Sequence, residues 1–222
     1  MRLVRTMKRK HVLVDLDSVV YPWTETMAMV VAMNTEIADD PDSLMKLYHT
    51  WQVWEDWGIS KGQFILWWER AIKEGIMYSS GPVGPSGGVY GYPIQGSVTG
   101  LWQISDAEWH INLCTARLNM FRHHDTIVEN TVKWLSQFGI PYRSLIFIDE
   151  KNRITADAIV DDKPSNLIGH NASLKFLYPA AHNRAWVQDL KKHDFIEDDI
   201  IILGEDYPWS ELVEQLGSGV IE

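Results

Sequence analysis

An apolar run that ends in two carboxylates constrains this chain more than any other feature. Val12, Leu13 and Val14 lead directly into Asp15 and Asp17, which have one residue between them. Such a run is typical of a parallel strand that is covered on both faces. The carboxyl ends of the strands in an open α/β sheet face the crevice where ligands usually bind. Two neighbouring carboxylates repel each other, so a cation, a proton or a basic group must accompany them. We therefore predict a ligand site here.

The rest of the chain alternates short apolar runs with helical patterns. The further predicted strands are residues 109–115, 145–148, 158–162, 174–178 and 200–203. The predicted helices between and after them are residues 96–104, 125–138 and 208–216. Strands that alternate with helices indicate an α/β fold with a doubly wound parallel sheet.

A helical segment interrupts this alternation directly after the first strand. Its predicted helices are residues 24–34, 43–57 and 61–74, and a stretch rich in glycine and proline follows at 79–92. Because no strand pattern occurs in this segment, we predict a small inserted cap. The predicted domains are an α/β core of residues 1–23 and 93–222, and a helical cap with a glycine-rich loop at 24–92.

The overall charge of the chain restricts its partners. The formal net charge is −10 and the sequence pI is about 5.2, whereas a nucleic-acid surface needs a basic counterpart to the phosphates. We therefore expect no nucleic-acid partner. Small phosphorylated ligands stay open, because they need only a local positive site.

Cysteine content and hydropathy indicate the compartment. Cys114 is the single cysteine, which excludes an internal disulfide and suits a reducing compartment. The basic stretch at residues 1–10 lacks the apolar core of a secretory signal. No apolar segment reaches the roughly 18 residues that a membrane helix needs. We expect a soluble, cytoplasmic protein with no membrane partner, and the sequence leaves open whether it forms a homodimer.

Polar residues at later strand ends complete a recognisable order. After the first acidic pair come Thr115, then Lys151, then Asp161 with Asp162. Taken singly, each also fits an ordinary turn or helix cap. In this order they resemble the four motifs of the haloacid dehalogenase-like phosphohydrolase superfamily, which implies a Rossmann-like core and phosphatase activity.

A closer resemblance is to the 5′(3′)-deoxyribonucleotidases. Residues 149–164 are similar to that family's run of a lysine, Ala-Asp, Asp-Asp and a proline, and residues 93–96 and 113–115 stand where the family has Pro-Ile-Pro-Gly and Ile-Cys-Thr. Helical caps after the first motif are a family trait as well. The chain departs from the pattern at Ser18, where the family has glycine, and at Ala116-Arg117, where it has Ser-Pro.

Phosphoryl transfer assigns a role to each of these side chains. Asp15 can attack phosphorus, and Asp17 can act as general acid and then general base. Lys151 would neutralise the nucleophile and the phosphate, and Thr115 would bind phosphate oxygens. Mg²⁺ prefers hard oxygen ligands. Its predicted ligands are Asp15, the backbone carbonyl of Asp17, and Asp162 or Asp161.

Substrate contacts are predicted on both sides of this site. Aromatic faces stack on nucleobases, with Trp67 and Trp68 or Tyr90 and Tyr92 as the candidates, although helical spacing also fits packing within the cap. Arg117 fits either a phosphate contact or an external salt bridge. The complete set of predicted substrate-binding residues is Ala116, Arg117, Trp67, Trp68, Tyr90, Tyr92 and Lys163.

The sequence therefore predicts a Mg²⁺-dependent phosphatase that hydrolyses a nucleoside monophosphate, with a deoxyribonucleotide favoured, through an aspartyl-phosphate intermediate. Two alternatives stay open. One is a phosphatase of another small phosphomonoester, such as a phosphosugar. The other is a nucleotide-binding protein without turnover, and the presence of an acid/base residue such as Asp17 argues against it.

Overall fold

The protein is built on one six-stranded parallel sheet, as the sequence predicts. The computed structural model describes residues 9–35, 40–79, 91–118, 123–193 and 200–218. The strands are β1 His11–Asp15, β2 His110–Thr115, β3 Ser144–Phe147, β4 Ala158–Asp161, β5 Leu174–Leu177 and β6 Ile200–Ile202. Their order is β3-β2-β1-β4-β5-β6. β1 is thus central, and all six carboxyl ends lie at one edge of the sheet.

Helices connect and cover the strands. They are α1 Trp23–Asn34, α2 Pro41–Leu47, α3 Val53–Asp56, α4 Lys61–Lys73, α5 Ser97–Asp106, α6 His124–Gln137, α7 Pro164–Leu167, α8 Arg184–His193 and α9 Pro208–Ser218, with short 3₁₀ turns at Lys151–Arg153 and Ala181–Asn183. Among the helices of the described ranges, none is long and apolar enough to cross a membrane.

The helix predicted at residues 43–57 was wrong in its extent. It is two helices, α2 and α3, with a loop at residues 48–52 between them. The Asp56 carboxylate accepts hydrogen bonds from the backbone amides of His49 and Thr50, each at 2.7 Å. Because these amides bond to a side chain, the chain leaves the helical path here. α2 itself begins earlier than predicted, since Asp40 caps it by accepting from the Ser43 amide at 2.9 Å.

The sequence reading also missed α7 and α8. α7 is four residues long and starts with Pro164, which suits the first position of a helix. α8 is polar over most of its length, but its apolar residues Trp186, Val187 and Leu190 recur at helical spacing, so the period was present in the sequence and was overlooked.

The inserted helices α1 to α4 share one hydrophobic core with the sheet. Met27 of α1 and Phe64 of α4 belong to the same buried cluster as Val14 of β1 and Trp134 of α6. Trp57, which is 1% exposed, donates from Nε1 to the Leu44 carbonyl at 2.9 Å. Full burial of a large apolar side chain contributes about 1.5–3 kcal/mol. These contacts hold the inserted segment over the carboxyl ends of the strands.

A tight turn follows β1 and presents Asp17. Ser18 has a φ of 62°, a left-handed backbone that costs an L-residue about 1–2 kcal/mol. The Ser18 amide donates to the Tyr21 carbonyl at 2.8 Å, which closes the turn. Trp209 of α9 supports it by donating from Nε1 to the Val19 carbonyl at 3.2 Å. Ser18 therefore occupies a backbone conformation that favours glycine, which is the residue that the resembling family has at this position.

Candidate active site

Three buried carboxylates meet where β1 and β4 end. Asp15 closes β1, Asp161 closes β4 and Asp162 follows it. One oxygen of each carboxylate lies within 4.8 Å of the others. All three residues are less than one-tenth exposed. Burial raises the pKa of Asp15 well above its ordinary value, and the charges of Asp161 and Asp162 raise it further while Lys151 opposes them. Because the three negative charges repel one another, they need a compensating cation nearby.

Lys151 supplies part of that compensation. Its Nζ lies 2.5 Å from Oδ1 of Asp15 and 2.5 Å from Oδ2 of Asp161. Burial alone would lower the pKa of Lys151, but the two carboxylates raise it more, so the net shift is upward. One ammonium beside three carboxylates leaves two negative charges. A divalent cation with a preference for oxygen ligands fits this residue set.

The two acids of the β4 motif differ in their partners. Oδ1 of Asp161 accepts from the Lys163 backbone amide and from Nδ2 of Asn166, each at 2.9 Å, while its Oδ2 accepts from Lys151. Both oxygens of Asp161 therefore already have donors. Asp162 and Asp15 are better placed to hold a cation.

Asp17 is paired with Arg117. Nη2 of Arg117 donates to Oδ1 of Asp17 at 2.8 Å, and its Nε lies 3.1 Å and 3.0 Å from the two carboxylate oxygens. Thr115 adds a hydrogen bond from Oγ1 to Oδ2 of Asp17 at 3.2 Å. The expected external salt bridge of Arg117 was wrong, because its guanidinium turns inward to this carboxylate, whereas its predicted phosphate contact stays a prediction.

Aromatic rings surround the Arg117 guanidinium. Its central carbon lies 4.2 Å from the Tyr78 ring centre and 5.0 Å from that of Tyr21. Nη1 donates to Oγ1 of Thr131 at 2.8 Å, so every side of the buried cation is occupied. Burial lowers the pKa of Arg117, but the Asp17 charge more than offsets this, so the net pKa shift is upward. Arg117 is therefore a permanent positive charge beside Asp17.

A cavity of about 440 Å³ opens over these charged groups. Asp15, Asp17 and Lys151 are among its lining residues. Its aromatic lining comes from residues 23–78, in which the rings of Trp23 and Trp68 meet edge to face with centres 5.1 Å apart. The aromatic lining residues are Trp23, Tyr48, Trp51, Trp54, Phe64, Trp68 and Tyr78.

The structure brings some of the predicted substrate residues to this cavity and excludes others. Ala116, Arg117, Trp68 and Lys163 line it. Trp67 does not. It lines a separate cavity beside Arg70 and Glu74, because neighbouring residues on a helix point in different directions.

The loop tyrosines do not supply a cavity wall either. Tyr92 is 56% exposed and packs on Phe138, with ring centres 5.1 Å apart. The prediction for Tyr92 was therefore wrong, because the chain at this point runs along the α6 side. Tyr90 lies outside the described residues.

Sequence reasoning did not predict several of the cavity residues as substrate contacts, among them Tyr48, Trp51 and His182. The Trp51 and His182 rings lie 3.8 Å apart, centre to centre. His182 follows the end of β5 by five residues, so it stands at the same edge of the sheet as the acids. This position in the chain was the signal that could have identified His182. Tyr48 and Trp51 lie in a stretch that the helical pattern predicted as one continuous helix, so their place in the cavity was not apparent from the sequence.

Comparison with known proteins identifies the family of the chain. The family model of the 5′ nucleotidase, deoxy (pyrimidine), cytosolic type C proteins matches residues 90–206, which is just over half of the chain. A protein of Chlorobaculum tepidum described as "Putative 5′(3′)-deoxyribonucleotidase" is 30% identical over 155 residues, which are 69% of this chain and 70% of that protein.

The fold has a counterpart among solved structures. A haloacid dehalogenase family hydrolase from Deinococcus radiodurans R1, crystallised with bound phosphate and sodium, superposes with a TM-score of 0.50. The match covers 96% of this chain and 97% of that one at 13% sequence identity, so it supports the fold alone. The chain therefore belongs to the 5′ nucleotidase, deoxy (pyrimidine), cytosolic type C family, and it is a phosphoric monoester hydrolase with the fold of the haloacid dehalogenase-type hydrolases.

Proposed function

We propose that this protein hydrolyses nucleoside monophosphates, with deoxyribonucleotides preferred, through a Mg²⁺-dependent aspartyl-phosphate mechanism. The observation that carries the proposal is the polarity of the cavity. Its lining combines charged groups, among them Asp15, Lys151 and the acidic pair, with aromatic rings. A nucleotide combines the same two chemistries, a charged phosphate and a flat base, whereas a phosphosugar has no flat apolar group.

The cation would be held by Asp15, Asp162 and the Asp17 backbone carbonyl. Mg²⁺ suits such a set because it takes hard oxygen ligands and keeps part of its water shell. When bound, it supplies positive charge against the phosphate oxygens, which lowers the barrier to attack by an anionic nucleophile.

The first half-reaction uses Asp15 as the nucleophile. One of its carboxylate oxygens forms a bond to phosphorus, and the bond from phosphorus to the nucleoside oxygen breaks. In this step Asp17 must first take up a proton and leave its pair with Arg117, and it then gives that proton to the departing oxygen, so a neutral nucleoside leaves.

Lys151 stabilises the charge of Asp15 and of the phosphate. The backbone amide of Ala116 is the proposed donor to the remaining phosphate oxygens. The Thr115 hydroxyl, which donates to Asp17 in this structure, is proposed to turn to the phosphate when substrate binds.

The second half-reaction restores the enzyme. A water oxygen attacks phosphorus, Asp17 takes a proton from that water, and the bond between phosphorus and Asp15 breaks. Inorganic phosphate leaves, and Asp15 returns to its carboxylate form. Because the inserted helices lie over this site, we propose that residues 24–92 act as a cap on a core of residues 1–23 and 93–222, and that the cap excludes bulk water.

The aromatic wall gives the cap a role in substrate choice. Stacking of a base on an aromatic side chain contributes roughly 1–3 kcal/mol. Trp68 is the proposed stacking residue of the predicted set, because it lines the cavity and Phe64 supports it at a ring-centre distance of 5.8 Å. Lys163, at the same rim, is the proposed second cation for the nucleotide phosphate.

Phosphate release from a panel of nucleotides and sugar phosphates, with and without Mg²⁺, tests the proposal. We expect the fastest release from deoxyribonucleoside monophosphates and none from the Asp15→Asn variant. Asp106→Asn, which changes an exposed carboxylate, is the matched control and should keep full activity. Mass spectrometry of acid-quenched protein should locate a phosphoryl group on Asp15.

Two results would contradict the proposal in different ways. A wild-type protein that releases no phosphate from any phosphomonoester rules out the enzymatic function. A clear preference for sugar phosphates rules out only the nucleotide specificity.

A further inference from the structure

A chain of buried side chains runs from the inserted segment to the acidic pair. Tyr48 lies in the loop after α2, His182 in the 3₁₀ turn after β5, and Asp162 directly after β4. The Tyr48 hydroxyl contacts Nδ1 of His182. Nε2 of His182 lies 3.1 Å from Oδ2 of Asp162. All three residues are buried, so the contacts form away from bulk water.

The chemistry of the three groups sets the direction of these contacts. An ionised carboxylate can only accept hydrogen bonds, so Nε2 of His182 must carry the proton that faces Asp162. In the neutral ring Nδ1 is then an acceptor, and the Tyr48 hydroxyl donates to it. Nε2 is buried and has no fully aligned hydrogen-bond partner among the described residues. Asp162 is therefore the acceptor toward which this donor can turn.

A second residue of the same loop holds the histidine in place. The Trp51 ring lies on His182 at a centre-to-centre distance of 3.8 Å. The Nζ atom of Lys163, which is next to Asp162 in sequence, lies 5.7 Å from the centre of the Trp51 ring. The loop at residues 48–52 thus contacts His182 through two side chains.

The partners of the two acids explain why this contact matters for a cation. Asp161 has donors on both of its oxygens, from Lys151, Lys163 and Asn166. Asp162 has His182 beside Oδ2, and one of its oxygens lies within 4.8 Å of oxygens of Asp15 and Asp161. Hydrogen-bond partners of a ligating carboxylate orient it, and their loss typically weakens metal binding about 10–100-fold.

We propose that His182 is a positioning residue for the cation ligand Asp162, and that Tyr48 sets the orientation of His182, so that the cap and the cation site are energetically coupled. This inference rests on the proposed function, because it concerns the cation of that site. Coupling is reciprocal: contacts that favour cation binding are in turn favoured by the bound cation. The cation should therefore stabilise the docked position of the loop at residues 48–52.

Binding of Mg²⁺ alone to the full-length protein, measured by calorimetry without substrate, tests the first part. His182→Leu should raise the Mg²⁺ Kd about 10–100-fold, and Tyr48→Phe should raise it by a smaller factor. His182→Gln should restore part of the affinity, because its amide can donate to Asp162. Tyr142→Phe is the matched control, since Tyr142 stands before the start of β3, at the opposite edge of the sheet, and it should bind Mg²⁺ like the wild type.

Two further readouts separate positioning from a general structural role. Tyr48→Phe should have no added effect on Mg²⁺ affinity when His182 is already leucine, since Tyr48 acts through the histidine. In the wild type, Mg²⁺ should slow hydrogen exchange of the backbone amides at residues 48–52, and this protection should be lost in Tyr48→Phe. If His182→Leu does not fold, the comparison of His182→Gln and Tyr48→Phe with the wild type decides the question.

The outcomes distinguish this inference from the proposed function. If the wild type releases phosphate and the variants bind Mg²⁺ as tightly as it does, the inference is overturned and the proposed function is left intact. The expected losses of affinity in a protein that releases no phosphate support the inference and overturn the enzymatic function.

Discussion

Asp17→Asn is the direct test of the proposed proton carrier, and the structure predicts that it also tests stability. Asp17 is the counter-charge of Arg117, whose side chain is 0% exposed, whereas the side chain of Asp17 is 25% exposed. Removal of the carboxylate charge leaves a buried cation without compensation. Removal of the cation leaves a carboxylate that water can still reach. The two substitutions should therefore differ in cost.

The magnitudes follow from the burial of the partner that remains. Loss of one member of a buried ion pair costs about 3–5 kcal/mol, and we expect Asp17→Asn to fall in this range. Arg117→Met should cost only about 1–3 kcal/mol, the value of hydrogen bonds to a charged group, because Asp17 stays partly hydrated. Methionine also suits the pocket between Tyr21 and Tyr78, where sulfur can contact the rings.

The decisive comparison is the double variant. Adding Arg117→Met to Asp17→Asn removes the uncompensated cation, so the free energy of unfolding should rise relative to Asp17→Asn alone. Urea unfolding without Mg²⁺ or substrate measures all three variants. Glu205→Gln, which breaks the exposed pair of Arg184 and Glu205 at 2.9 Å, is the control and should cost no more than about 1 kcal/mol.

A double variant that is less stable than Asp17→Asn would refute the reasoning, since Arg117 would then stabilise the fold without its counter-charge. The result also governs the kinetic test. The activity of Asp17→Asn has to be measured where that variant is folded, because a loss of turnover would otherwise report unfolding. Under those conditions Asp17→Asn should slow turnover more than it weakens Mg²⁺-dependent ligand binding.

Three further outcomes follow from single positions. Ser18→Gly should raise the free energy of unfolding by about 0.5–1 kcal/mol, because relief of the left-handed backbone outweighs the extra freedom of glycine in the unfolded chain; lower stability in urea would contradict this. Burial raises the pKa of Cys114 to about 12, so the folded protein should resist iodoacetamide at pH 8 and react only after unfolding, and labelling of the native state would count against the buried thiol. Trp68→Ala should raise the nucleotide KM about tenfold, the equivalent of one stacking contact, while Trp67→Ala should leave KM unchanged; equal effects would place the base elsewhere.

The main features of the site could be predicted from the sequence because parallel strands impose a simple rule. Asp15, Thr115 and Asp161 each end a strand, and strand ends in such a sheet meet at one edge. Local apolar runs were sufficient to place the strands. The acids and the threonine therefore came together without knowledge of any side-chain contact.

Local patterns were less informative where long-range packing sets the conformation. The break at residues 48–52 depends on the Asp56 carboxylate, which bonds to amides six and seven residues earlier. Trp67 and Trp68 have the same residue type and adjacent positions, yet only Trp68 reaches the cavity. The direction that each helix face takes is decided by the surface on which the helix packs.

The sequence by itself determined the strands of the parallel sheet and the acidic ends of β1 and β4, because these depend on residue type and chain order. Only the tertiary structure decided the partners of the side chains around the site. Arg117 meets Asp17 across 100 residues of chain, and Tyr48 meets His182 across 134. Such contacts depend on the angle at which separate elements pack and on the side-chain conformations that this packing allows, and neither is encoded in a local pattern.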